Sequence, residues 1–176
     1  MRIAAFACAS IFAGLCSTTL AAADTPLIEG GAAAFDEVWA GGLTKALVEG
    51  PAEGAKALRL TVAEKPANFW DAQTWITPLK ADIAEGDTVE IKLTARTTAP
   101  AAGGGQLGVS VGLNAEPWSQ AVAETLTVGT EWKEYTISGV AKAALPAASG
   151  RFGFTVGYQA QTIEIAKITV VDLGKK

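Results

Sequence analysis

Two segments of this chain, 107–113 and 151–158, alternate large apolar residues with almost nothing. In the first, Leu107, Val109, Val111 and Leu113 share one face, against Gly108, Ser110 and Gly112. In the second, Phe152, Phe154, Val156 and Tyr158 oppose Gly153, Thr155 and Gly157. A period of two marks a half-buried strand. Glycine weakens a strand interior unless something must approach the backbone closely. The pattern therefore predicts a sheet with one face in a core and the other a floor of small residues. Flanked by tryptophans, such a floor makes a shallow groove for a flat, hydroxylated ligand such as a sugar chain. The competing reading is that another part of the protein fills the space.

The rest of the chain supplies strands of the same kind. Ala57 to Val62 alternates, with Leu58, Leu60 and Val62 inward. Val89 to Arg96 puts Val89, Ile91, Leu93 and Ala95 on one face. Leu126 to Val128, Trp132 to Ile137 and Thr162 to Val171 read likewise, giving roughly eight to ten short strands. Thr25 to Gly54 reads as an opening strand followed by loop, and Asn114 to Glu124 as a loop holding Pro117 and Trp118. Asn68 to Ile76, with Phe69, Trp70 and Trp75, is too aromatic for ordinary linker. Many short strands, Gly/Pro turns and no helical period predict an all-β fold, an antiparallel sandwich or jelly roll.

Residues 1–23 read as a secretory signal peptide: Arg2, a mostly apolar run to Leu20, and Ala21-Ala22-Ala23 before Asp24. The run is too short and wrongly flanked for a membrane span, and nothing later is apolar enough for one. Leu15 before Cys16 speaks against a lipoprotein, and Cys8 and Cys16 leave with the signal. The reading is one exported domain, 24–176, secreted or periplasmic, with no cysteine for a disulfide or metal site. The net charge of −4 is spread without long runs, which argues against nucleic acid or anionic lipid as a partner.

The chain contains no histidine. Ser-His-Asp and Cys-His catalysis are thereby excluded, and zinc or copper is disfavoured. Gly108-Val109-Ser110-Val111-Gly112 spells a nucleophile elbow, but it lies inside an alternating strand and has no base to activate it.

The order of several short motifs resembles the galactose-binding-like β-jelly rolls grouped as carbohydrate-binding modules of families 4, 9 and 22. The likeness starts at Gly54-Ala55-Lys56-Ala57-Leu58-Arg59-Leu60, Phe69-Trp70-Asp71-Ala72-Gln73 and the strand from Glu85 to Arg96. It continues through Glu116-Pro117-Trp118, Thr130-Glu131-Trp132-Lys133-Glu134-Tyr135, Arg151-Phe152-Gly153-Phe154 and the segment from Ile163 to Val170. Val89 stands where the pattern commonly has tyrosine, and Ala166-Lys167 where it has an acidic pair. The resemblance implies an aromatic-flanked cleft for a β-linked polysaccharide or oligosaccharide of xylan or β-glucan type. It also implies association with a separate glycoside hydrolase. Many relatives carry a structural calcium near the termini; Glu29 and Asp172 are the candidate ligands here, and no other cofactor is expected.

Rings stack on the C–H face of a pyranose and leave its hydroxyls free. The candidate carbohydrate-binding residues are Trp70 and Trp118 for stacking, Gln73 and Arg96 for hydroxyl recognition, and Gln159, Asn68 and Glu116 at the rim. Trp132 and Trp39 are expected to be structural. An enzyme reading would need two carboxylates facing across the groove, for which Asp71 and Glu116 are the available pair. With no catalytic domain expected beside it, the chain also suits a structural or protein-interaction sandwich of the cell envelope.

Overall fold

The computed structural model describes residues 24–100 and 102–176. The expected signal peptide lies outside the described residues. Among the described residues there are eleven strands, three short 3-10 turns and no α-helix. They are β1 (Thr25–Pro26), β2 (Ala40–Gly41), β3 (Thr44–Glu49), β4 (Lys56–Val62), β5 (Gln73–Ile76), β6 (Thr88–Ala99), β7 (Gly105–Leu113), β8 (Gln120–Val128), β9 (Lys133–Val140), β10 (Gly150–Thr155) and β11 (Gln161–Asp172). All pair antiparallel in two sheets. One runs β3-β4-β11-β6-β9 with β1 beside β11, and the other runs β2-β5-β10-β7-β8. The predicted antiparallel sandwich is the observed architecture.

The alternation read in the sequence becomes the core between the sheets. Leu58, Leu60 and Val62 of β4, Val89, Ile91, Leu93 and Ala95 of β6, and Leu107, Val109 and Val111 of β7 are all buried. Phe152 and Phe154 meet Phe35 at ring separations of 6.0 and 5.2 Å. Phe35 comes from a 3-10 turn, Gly31–Phe35, and is fully buried. The turn is held by the Lys45 ammonium, which donates to the Phe35, Asp36 and Val38 carbonyls. Burying a phenylalanine contributes about 1.5–3 kcal/mol, so these three rings anchor one end of the sandwich.

Three local readings need correction. The segment read as loop after β1 contains β2 and β3; β3 lies on a sheet edge, buries none of its residues fully and half-buries the adjacent Leu47 and Val48, so its pattern is weak. The loop read to Glu124 ends at Ser119, because β8 starts at Gln120. The strand read to Tyr158 stops at Thr155. Tyr158 therefore leaves the core face and crosses to the other side of the sheet, where its hydroxyl bonds Thr125.

Candidate functional site

The outer face of the β2-β5-β10-β7-β8 sheet carries the small residues. Pairing aligns Trp75, Gly153, Ser110 and Ala123 in one row across β5, β10, β7 and β8. The next row is Gln73, Thr155, Gly108 and Thr125, and the row on the other side joins Arg151, Gly112 and Gln120. Over this floor lies an open depression of about 310 Å³, lined by Phe69, Gly108, Ser110, Thr125, Thr155 and Tyr158 among others. A smaller hollow adjoins it at Ser110 and Thr155 and reaches Gln73, Trp75 and Arg151.

Aromatic side chains stand at both ends. At one, Phe69 stacks on Tyr158 with centroids 5.1 Å apart and sits edge-on to Trp70 at 4.9 Å. The 3-10 turn Phe69–Asp71 that presents them is fixed by a capping box: the Asp71 carboxylate accepts from the Asn68 backbone and side chain. At the other end Trp39 lies 4.1 Å from Trp75, and the Arg151 guanidinium lies 5.1 Å from the Trp75 ring centroid and 5.5 Å from that of Trp118. Trp70 is 52% exposed, Trp118 50% and Trp39 51%. Rings this open have apolar faces still to cover. Trp118 also holds φ at 56°, a left-handed conformation that costs a non-glycine residue about 1–3 kcal/mol. Burial pushes the Arg151 guanidinium down from its ordinary value, though it stays charged.

The glycine face answers to two demands. A methyl group added at Gly153 would stand 2.5 Å from the Thr74 carbonyl oxygen and 2.7 Å from Trp75 Cβ. One at Gly108 would stand 2.7 Å from the Tyr158 hydroxyl. Part of the space bared by glycine is thus taken by the protein itself, while the floor between Gly108 and Ala123 stays open.

The expected site residues divide. Gln73 lies on the outer face within the smaller hollow, while Trp70 and Trp118 stand at opposite ends of the face. Asn68 serves the cap beneath Trp70, and Glu116 is exposed beside Trp118. Gln159 donates to the Gly104 carbonyl at 3.0 Å, between β10 and β11. Arg96 is not brought here. It lies on the opposite sheet, donating to Glu164 at 2.8 Å, with its guanidinium 4.7 Å from the Trp132 ring centroid. Glu164 also receives Arg59 at 2.6 Å and is fully covered. Burial pushes its carboxyl up, but the hydrogen bonds and charges of Arg59 and Arg96 outweigh this and hold it below the ordinary value.

Trp39, expected in the core, is an exposed groove ring. Trp75, Tyr158 and Arg151 were not singled out for ligand contact, although a period of two sets Trp75 on the face of Gln73 and Arg151 on that of Gly153 and Thr155. Glu29 pairs with Lys80 at 2.8 Å, which holds its carboxyl below the ordinary value. Asp172 accepts from the Gly174 amide at 2.7 Å; burial, with Asp87 nearby, pushes its carboxyl up. Among the described residues no three His, Cys, Asp or Glu side chains gather to hold an ion.

No family model and no curated protein matches the sequence. Solved structures match in fold. The second N-terminal cellulose-binding domain of a Cellulomonas fimi β-1,4-glucanase C shares 17% identity over 85% of this chain and 95% of its own, with a TM-score of 0.63. A family 4 carbohydrate-binding module shares 19% over 76% and 92%, at 0.59. The CBM22-1 xylan-binding domain of Paenibacillus barcinonensis Xyn10C shares 15% over 88% and 99%, at 0.57. The chain has the jelly-roll fold of these carbohydrate-binding modules.

Proposed function

We propose that this is an exported, non-catalytic carbohydrate-binding module that takes a β-linked polysaccharide of xylan or β-glucan type across the outer face of the β2-β5-β10-β7-β8 sheet. One observation carries the reading: a floor of glycine, serine, alanine and threonine runs between two sets of half-exposed aromatic rings. Sugar rings would stack on Trp70 at one end and Trp118 at the other, while Gln73 offers both a donor and acceptors to hydroxyls. The fold likeness to cellulose- and xylan-binding domains supports it. Of the two carboxylates an enzyme reading would use, Asp71 is engaged in its cap. Binding of weak to moderate strength is expected from a shallow, wet site.

The test is affinity electrophoresis of the protein through xylan, β-glucan, mannan or no polymer, with Trp70→Ala and Gln73→Ala alongside. Retardation by one polymer, removed by the substitutions while the fold persists, supports the reading. Equal retention of the variants would sink it. A second reading, an interaction sandwich of the cell envelope, is favoured by the Tyr158 hydroxyl that fills the space above Gly108; it expects no retardation in any gel.

A further inference from the structure

Arg151 is the basic residue of the groove floor, and its surroundings are unusual for an arginine. Its side chain makes no ion pair or hydrogen bond with any described residue. Arg59 and Arg96, by contrast, are both committed to Glu164. The Trp75 and Trp118 ring centroids lie 5.1 and 5.5 Å from the carbon of this planar group, within cation–π reach. Its five N–H donors lie in that plane and remain unspent.

A planar fork of donors, drawn partly out of water, is matched best by a carboxylate, which takes two parallel charge-assisted hydrogen bonds. A pair of sugar hydroxyls can accept from the same edge but brings no charge. Arg151 is the basic side chain among the residues lining the two hollows, and the chain carries a net charge of −4, so the surface offers no cation to a second carboxylate. One acidic substituent at the tryptophan end therefore suits this surface better than a continuous polyanion. Resting on the sugar-binding reading above, we infer that the groove selects a largely neutral chain bearing an isolated uronic acid, whose carboxylate is read by Arg151.

The experiment runs the full chain through gels containing glucuronoxylan, or the same polymer after its carboxylates are reduced to alcohols. The expected result is binding about tenfold tighter to the acidic polymer, equivalent to roughly 1.4 kcal/mol, with a preference that shrinks as sodium chloride rises. Arg151→Gln collapses the ratio of the two affinities toward one, and Arg151→Lys retains part of it as a point charge without the fork. Melting curves confirm that both variants fold. Equal retardation of the unaltered protein by both polymers overturns the acid preference and leaves sugar binding standing. No retardation by either overturns both, and a preference that survives in Arg151→Gln overturns the role of Arg151.

Discussion

Phe69 and Tyr158 lie ring on ring, 10° from parallel, and join two segments that are far apart in sequence into one wall of the groove. Phe69 arrives on a 3-10 turn before β5, and Tyr158 on the turn that follows β10. The Tyr158 hydroxyl then ties the wall to β8 through Thr125, at 3.1 Å.

Tyr158→Ala is expected to cost about 1–3 kcal/mol of stability and to weaken polysaccharide retention. Tyr158→Phe removes only one exposed hydrogen bond, about 0.5–1.5 kcal/mol, and is expected to retain binding. Denaturant melts and affinity gels on the pair separate ring from hydroxyl; loss of retention in Tyr158→Phe would assign the wall's effect to the hydroxyl instead.

Gly153→Ala must push a methyl group against the Thr74 carbonyl and the base of Trp75. Overpacking of this kind costs about 1–3 kcal/mol. Gly129, with nothing within 4 Å of an added Cβ, is the control, and Gly129→Ala is expected to change stability by no more than about 0.5 kcal/mol. Similar midpoints for the two in urea would contradict the crowding described at Gly153.

Phe35→Ala should remove about 3–5 kcal/mol, since the ring is fully buried against Phe152 and Phe154. A loss under about 1 kcal/mol by chemical denaturation would mean that the site collapses to fill the gap.

Glu164 predicts an acid limb in the stability curve. Its folded carboxyl titrates below the ordinary 4.5, so its contribution is fully present above the unfolded value and is lost as pH falls through the lower folded one. Glu164→Ala is expected to cost about 1–3 kcal/mol at neutral pH, less than a wholly buried pair because both arginines are partly exposed. Asp172 runs the other way. Its raised carboxyl favours the fold when protonated, a contribution present below the unfolded value and lost as pH rises through the folded one. Melting temperatures across the acid range for the parent and for Glu164→Gln check the first effect: the variant's acid limb should be shallower.

Central strands were legible because both alternation and burial are strong there, as in Val89 to Ala95. β3 was not, since an edge strand buries little and its residues need not alternate sharply. A period of two also says which residues share a face but not which sheet that face belongs to. Arg96 and Gln73 both read as outward polar residues, and only pairing separated by many residues puts one against Glu164 and the other beside Trp75. Tyr158 was misplaced for a related reason: the alternation continues past Thr155, while the hydrogen-bonded ladder does not.

The line Arg59, Glu164, Arg96 falls on directly opposed positions of β4, β11 and β6. An apolar alternation looks the same after a slide of two residues, so greasy faces alone would accept several alignments of these strands. A slide of two against β4 would set Glu164 opposite Ala57 or Thr61 and take one of its two arginines out of register. The three charges thus act as a key cut for one tooth position, rejecting neighbouring alignments that the core itself would tolerate.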